Sequence, residues 1–437
     1  MAYIEVEHLY KLFGPSPEAD ALSMARQGRS KAEILAHTQC TLAVNDATFE
    51  VQEGETFVIM GLSGSGKSTV LRCLNRLIEP TAGEVQLDGE SVTQATAQRL
   101  RQIRREQLAM VFQQFGLLPH RSVRDNVAFG LEIQKVPKAR RQQRASEAIE
   151  MVGLAEYADS RVQALSGGMQ QRVGLARALA TDAPVLLMDE AFGALDPLIR
   201  TQMQDELRVL QSRLRKTIVF ITHDLDEALK LGDRVAIMNE GAIVQIGTPE
   251  QILLTPATDY VREFVKNVNY ARALTARAVM ARIDTVANTS DTPGAILQQM
   301  ERRNWHVMAV TDEHGCFAGL ARVDEVRAAV ERGEQHLDAI VERDTSTVSP
   351  DTLIADILAD VGHGKHPMAV VTESDRIEGL ITPAHLLLAI AGETVNAETK
   401  DVKDTGHHTP PPDRADRVSG KRTAATPRPE HDGSKEC

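Results

Sequence analysis

Short apolar runs alternate with amphipathic stretches along residues 42 to 250, and the alternation predicts the elements. Thr56-Phe57-Val58-Ile59-Met60, led by Glu55, reads as a buried strand; glycines follow, then an amphipathic stretch from Lys67 to Leu77. Ala183–Met188, Thr217–Thr222 and Arg234–Met238 repeat the pattern, each after a helical segment. Strand, helix, strand succession of this kind predicts a parallel or mixed sheet covered by helices. Residues 99–162 are mostly charged and helix-forming, which predicts a helical subdomain inserted into that α/β core. Residues 15–42 read as an earlier helical insertion between two strands.

A different pattern begins near Ala276. Val307-Met308-Ala309-Val310 with Gly319-Leu320 recurs 60 residues later as Pro367-Met368-Ala369-Val370 with Gly379-Leu380. Asp291-Thr292 and Asp351-Thr352 keep the same offset, as do His306 and His366. The expected unit is a small strand and helix module present twice, at about 276–340 and 341–392; chance similarity of apolar strands is the alternative. From 393 to 437 the chain is polar, with eight acidic and eight basic residues from Asn396 onward. Such a segment cannot bury enough apolar surface to offset its ordering entropy, so a disordered tail is expected.

Length and charge narrow the classes. At roughly 150 residues per domain, the 437 residues suggest about three units. A formal net charge of −12 argues against general nucleic-acid binding, which needs a cationic surface. Cys40, Cys73, Cys316 and Cys437 match no zinc or paired-redox spacing and are expected as free thiols. The start, MAYIEVEHLYKLF, lacks the build of a signal peptide and predicts a chain that is not exported. No apolar run approaches the ~20 residues of a membrane-spanning helix, so any membrane role is expected to be peripheral.

Against that background, three motifs carry chemistry. Gly61-Leu62-Ser63-Gly64-Ser65-Gly66-Lys67-Ser68, followed by Thr69, fits G-x-x-x-x-G-K-[ST] between a predicted strand and a predicted helix. Glycines let consecutive amides and the helix N-terminus surround phosphates; Lys67 would reach the β- and γ-phosphates and Ser68 would ligate Mg²⁺. Val185-Leu186-Leu187-Met188-Asp189-Glu190 is an apolar strand ending in two carboxylates, where an open α/β sheet presents ligands to a nucleotide. Asp189 would hold Mg²⁺ through water, and Glu190 would act as general base toward the attacking water. Alone, two acids after a strand also fit a loop or helix cap. Leu165-Ser166-Gly167-Gly168-Met169-Gln170-Gln171-Arg172 is a glycine turn opening the predicted helix Met169–Leu179.

Taken in order with Ala194-Leu195-Asp196 and Thr222-His223-Asp224, these motifs resemble the ATP-binding cassette (ABC) ATPases over about residues 2–265. The resemblance implies a P-loop α/β core and ATP and Mg²⁺ as cofactors. It also implies a head-to-tail dimer with a second copy of the chain, in which signature residues Ser166, Gly167, Gly168 and Gln170 face ATP held by the partner's phosphate loop. Gln113 matches the glutamine that senses Mg²⁺ and the attacking water. His223 matches the histidine between the γ-phosphate and the general base, and Asp196 the aspartate that communicates across the dimer. Phe13 falls where an aromatic stacks on adenine, with core packing as its alternative and Tyr10 as a weaker candidate.

Finer features point further. The helical insertion Glu18–Gln39, Asn75-Arg76-Leu77-Ile78-Glu79-Pro80 and Asp196-Pro197-Leu198-Ile199-Arg200 resemble the ATPase subunits of quaternary-amine importers, which take up glycine betaine, proline betaine or choline. The C-terminal repeat resembles their paired cystathionine-β-synthase (CBS) modules. This implies a separate membrane permease, an indirect link to a substrate-binding protein, and a peripheral position on the cytoplasmic face of the inner membrane. Neither copy keeps the full nucleotide pattern: Arg322 with Glu325 follows Gly319-Leu320-Ala321, and Thr382 with His385 follows Gly379-Leu380-Ile381. The repeat is therefore expected to regulate rather than catalyse, through dimerisation or through Arg322, Arg327, Arg332 and Lys365 meeting anionic lipid. Its removal is expected to leave hydrolysis largely intact. Another cargo, or a soluble ATPase without transport, are the competing readings.

Overall fold

The computed structural model describes residues 2–391 apart from 16–17, 114–115, 194, 267 and 364–366. Ala194, Lys365, His366, Gly392, Cys437 and the expected disordered tail lie outside the described residues.

Two sheets enclose the first helix of the nucleotide region. β1 (Ala2–Phe13) and β2 (Thr41–Gln52) pair antiparallel. Between them lie α1 (Glu18–Arg26) and α2 (Lys31–Thr38), whose apolar residues close a small core of their own with Tyr10, Leu12 and Leu42. A capping box starts α2: Ser30 Oγ accepts from the Glu33 amide, and Glu33 Oε2 accepts from the Ser30 amide. β3 (Thr56–Met60), wholly buried, leads through the glycines into α3 (Lys67–Leu74). β4 (Ala82–Leu87) and β5 (Glu90–Ser91) complete the antiparallel sheet in the order β2-β1-β4-β5. Its apolar face meets Val70, Leu71 and Leu74 of α3 and the Phe57 and Ile59 side of β3.

After α4 (Ala97–Glu106) the chain forms β6 (Leu108–Val111), which pairs in parallel with β7 (Val185–Asp189). The region expected to be helical thus contains a strand of the main sheet, four apolar residues directly after the charged helix α4. The helical layer proper holds α5 (Val123–Val127), α6 (Phe129–Ile133), α7 (Lys138–Met151) and α8 (Gly167–Ala180). α9 (Pro197–Leu214), β8 (Thr217–Thr222), α10 (Leu225–Leu231), β9 (Arg234–Asn239) and β10 (Ala242–Gly247) follow. The main sheet runs β10-β9-β3-β8-β7-β6; its pairings are parallel except β10 against β9. Strands so covered on both faces are almost continuously apolar, which is why the short runs stood out in the sequence.

α11 (Pro249–Leu254), α12 (Asp259–Val265) and α13 (Tyr270–Ala273) lead into the repeat, where α14 (Ala276–Val279) precedes β11 (Ala281–Arg282). The first copy contains β12 (Ala287–Asn288), α15 (Pro293–Arg302), β13 (Val307–Thr311), β14 (Phe317–Arg322) and α16 (Val323–Arg332). The second contains β15 (Thr347–Val348), α17 (Ile354–His363), β16 (Met368–Val371), β17 (Ile377–Ile381) and α18 (Pro383–Ile390). Their hairpins match residue for residue at the 60-residue offset: Met308 faces Ala321 and Val310 faces Gly319, as Met368 faces Ile381 and Val370 faces Gly379.

In space the copies do not divide at 340. β11, at the head of the first copy, pairs with β17 of the second, while Glu342, at the head of the second, bridges to Leu320 of the first. The leading segments are exchanged, and the repeated glycines admit them. A Cβ on Gly319, whose φ is +147°, would stand 2.3 Å from Glu342 O; one on Gly379 would stand 2.7 Å from Ala281 O. Only glycine fits the first position without moving backbone.

The first copy closes its own core around Ile296, Met300, Val310 and Val326. The second does not: Ile354, Ile357, Val361 and Leu386 belong to the same continuous core as the helical layer and the Phe220 face of the main sheet. α13 joins them, packed on α10 and α11 to one side and on α17 and α18 to the other. A cut at residue 276 would therefore strip the cover from apolar residues of the nucleotide region. Of the cations considered for lipid, Arg327 pairs with Glu301 and Asp324 at 3.3 Å each, and Arg332 with Glu334 at 2.8 Å. Neighbouring acids thus offset the charge offered to a membrane.

Candidate nucleotide site

Four adjacent strands of the main sheet, β3, β8, β7 and β6, run parallel, so their carboxyl ends fall along one edge. The segments leaving them carry Gly61–Ser68, His223, Asp189–Glu190 and Gln113 respectively. An open α/β sheet binds ligands outside that edge.

The phosphate loop is tightly formed. Gly66 has φ +103°, and a Cβ there would stand 2.2 Å from Ala43 O, so β2 closes on the loop as only glycine allows. The Gly241 amide donates to Ser65 O, pinning the loop to the β9–β10 turn. Lys67 is 4% exposed, and its ammonium donates to Gly61 O at 2.8 Å and Leu62 O at 3.0 Å. It forms no ion pair among the described residues. Burial pushes its pKa below the usual 10.5, against the opposing pull of Glu190 and Asp189. Ser65 Oγ is buried without a partner. A buried cation whose hydrogen bonds go only to carbonyls, beside an orphaned hydroxyl, fits a polyphosphate. Leu62, Ser63 and Gly64 line the exposed crest of the loop.

Ser68 Oγ donates to Asp189 Oδ1 at 2.8 Å, and Arg72 donates to Asp189 Oδ2 at 3.1 Å. Ser68 and Arg72 are one helical turn apart on α3, so both reach the same carboxylate. No motif marks Arg72; the i, i+4 spacing from Ser68 is the signal that places it here. The Ser68 hydroxyl and the Asp189 carboxylate, already joined to each other, are oxygen donors of the type hard divalent cations take.

Glu190 holds the left-handed conformation, φ 45°, uncommon for a residue other than glycine and typical of functional turns. Its Oε2 accepts from Gln113 Nε2 at 2.9 Å and lies 3.5 Å from His223 Nδ1. Three segments far apart in sequence thus meet at one carboxylate.

The remaining candidates lie elsewhere. Ser166 caps α8, its Oγ accepting from the Met169 amide, and Gln170 donates to Leu165 O. A Cβ on Gly168 would strike Ile199 Cγ2 at 2.6 Å, and Asp196 caps α9 by accepting the Ile199 amide. Among the described residues no hydrogen bond or ion pair joins Ser166, Gly167, Gly168, Gln170 or Asp196 to the phosphate loop. Phe13 is 43% exposed at the end of β1 with the Lys11 ammonium 5.0 Å from its ring centre, which excludes core packing. Tyr10 is the core residue, buried with Leu12 and Ile34, and this rules it out for stacking on a base.

The ABC transporter family profile matches residues 44–193. A glycine betaine/carnitine transport ATP-binding protein of Listeria monocytogenes is 46% identical over 396 residues, covering 91% of this chain and 99% of that protein. A glycine betaine/proline betaine transport system ATP-binding protein of Salmonella typhimurium is 45% identical over 90% of this chain and 98% of its own length. A trimethylamine N-oxide transport system ATP-binding protein of Ruegeria pomeroyi is 48% identical over 68% of this chain and 87% of its own. With such identity along nearly the whole of the first two relatives, the chain belongs to the ABC transporter family as an ATP-binding, ATP-hydrolysing subunit.

Proposed function

We propose that this chain hydrolyses ATP to drive uptake of glycine betaine, proline betaine or a related quaternary amine through a separate membrane permease. The observation that carries the chemistry is the convergence of Gln113 and His223 on Glu190 beside the buried Lys67 ammonium. The cargo reading rests on the relatives.

In this reading Lys67 and the amides of residues 61–69 bind the phosphates, and Phe13 offers its open ring face to the adenine. Ser68, Asp189 and Gln113 would hold Mg²⁺, which when bound offsets phosphate charge. Glu190 accepts the proton of the attacking water, and Gln113 and His223 orient its carboxylate. Ser166, Gly167, Gly168 and Gln170, at the start of α8 and packed through Gly168 on Ile199 near Asp196, serve the phosphate loop of a second copy in a head-to-tail dimer; their bonds to their own helix start, rather than to the chain's own loop, support this. An apolar groove of about 380 Å³ lined by Leu77, Met110, Phe112 and Ile133 opens beside Gln113 and suits a permease segment. No helix among the described residues is long and apolar enough to cross a membrane, consistent with a peripheral subunit at the cytoplasmic face of the inner membrane. The substrate-binding protein is then met only through the permease. The repeat serves as a pair of CBS modules that regulates the cycle.

Glu190→Gln is expected to keep ATP affinity while hydrolysis falls by roughly 10² or more and an ATP-bound dimer accumulates; near-normal turnover contradicts the assignment. Ser166→Arg chains mixed with Lys67→Ala chains should regain one intact shared site. Cells lacking the chain should lose uptake of labelled glycine betaine, and unlabelled trimethylamine N-oxide added to the parent discriminates the cargo. Retained betaine uptake in the deletion would reject that cargo.

A further inference from the structure

Arg200 stands four residues beyond Asp196, on the first turn of α9, with its guanidinium folded back over the turn that joins Glu190 to Asp196. Nε donates to Phe192 O at 3.3 Å, and Nη2 donates to Leu195 O at 3.0 Å. The same group reaches toward the loop after β8: Nη1 is 3.7 Å from Asp224 Oδ2, and Nε is 3.9 Å from Glu227 Oε1.

Glu227 is the centre of the second half. Its side chain is 5% exposed. Its Oε2 accepts from Thr222 Oγ1 at 2.6 Å, and its Oε1 accepts from Gln204 Nε2 at 3.1 Å. Thr222 Oγ1 in turn accepts the Asp224 amide at 2.9 Å, so the residues on either side of His223 are fixed to this carboxylate. Gln204 and Arg200 are one turn apart on α9, and both therefore face it. Among the described residues, neither Arg200 nor Glu227 has a hydrogen bond or ion pair to Lys67, Ser68, Asp189 or Glu190. The cluster lies behind the proposed chemistry, not in it.

A buried carboxylate is costly unless fully partnered, and here the partners come from two separate segments, α9 through Arg200 and Gln204 and the end of β8 through Thr222. A planar fork can donate to two carbonyls while its charge stays within 4 Å of two carboxylates; an ammonium on a flexible stem cannot reproduce that spread.

We infer that Arg200 and Glu227 form a positioning pair that locks the loop from Glu190 to Asp196 against the loop carrying His223. The proposed base, its histidine partner and the aspartate offered to the second copy then keep one fixed relation. The inference rests on the roles assigned above to Glu190 and His223.

The test uses the full-length chain reconstituted with its permease, with ATP affinity read by a fluorescent nucleotide and turnover by phosphate release. Arg200→Gln and Glu227→Gln should each lower kcat by about tenfold or more while nucleotide affinity stays within about twofold. The double variant should be no slower than the slower single, because groups acting as one unit do not add. Arg200→Lys keeps the charge and is expected to fold with the parent Tm, yet to recover only part of kcat. A kcat within twofold of the parent in folded Arg200→Lys and Arg200→Gln overturns the inference, as do multiplied losses in the double variant or ATP affinity falling in step with kcat. Glu190→Gln measured alongside separates the two levels. If it is inactive while the Arg200 variants are normal, the positioning pair alone fails; if it turns over normally, the general-base reading fails and the pair falls with it.

Discussion

The two copies of the C-terminal repeat have the same hairpin register and the same element order, yet they belong to different bodies of packed side chains. The first buries Met300 and Val326 within itself. The second buries Ile357 and Leu386 in a core continuous with the nucleotide region, and α13 is the seam. One duplicated pattern has therefore become a module with a side-chain core of its own and an extension of the ATPase. The difference lies in what each copy's helices meet, because the pattern only says which faces must be covered.

The strongest way to break this contrast is to cut into each core. Ile357→Ala and Met300→Ala should each cost about 2–5 kcal/mol. Only Ile357→Ala should lower the unfolding temperature of the nucleotide region, followed by hydrogen exchange on β8 and α10; equal effects there from both would erase the distinction. Next in size are the glycines at the exchanged segments. Gly319→Ala meets backbone at a positive φ and should cost about 1–3 kcal/mol. Gly379→Ala should cost less, since Gly379 lacks the positive φ and the backbone oxygen facing its Cβ stands at 2.7 Å rather than 2.3 Å. Thermal melts of the two variants rank them.

Acid and base should also act oppositely on the two bodies. Burial raises the Glu227 carboxyl above the usual 4.5, so the fold favours its protonated form; that stabilisation is full below 4.5 and is lost as pH rises through the folded value. The amide of Cys316, with that of His314, holds Asp312 of the first copy below the usual 3.8, so its contribution is present above 3.8 and is lost as pH falls through the lower folded value. Glu227→Gln should flatten the first trend and leave the second. The mildest effect is chemical labelling. Burial pushes the Cys73 thiol up to about 12 and Cys40 is buried too, so of the described thiols only Cys316 should react with iodoacetamide at pH 8, without loss of ATP hydrolysis. Rapid labelling of Cys73 would mean that the nucleotide region opens more readily than its packing implies.

How much was legible follows from which forces act locally. β3, β7, β8 and β9 were readable because a strand buried on both faces has to be apolar and short, and the phosphate loop because glycine and lysine at fixed spacing have few other uses. β6 was hidden, since Leu108–Val111 is four apolar residues that follow a charged helix without a break, and only the neighbouring β7 makes it a strand. The exchanged segments were invisible for a similar reason: two-residue strands such as β11 have no periodicity, and their partner decides them. At the site, motif order named Gln113, Glu190 and His223, but that they meet at one carboxylate is a property of strand order. Arg200 was visible only as part of a family-like stretch. Its contacts reach 24 and 27 residues ahead, to Asp224 and Glu227, and no local pattern encodes them.

The exchange of leading segments has a consequence for synthesis. Ala281 pairs with Leu380, so β11 has left the ribosome about 100 residues before its partner exists. At ~5–20 residues per second that is roughly 5–20 s during which β11 waits unpaired and α17 and α18 cannot yet cover the helices around α13. The nucleotide region, although encoded first, must finish its core last, and a chain stalled anywhere in that interval would expose an apolar face that only the end of the repeat can close.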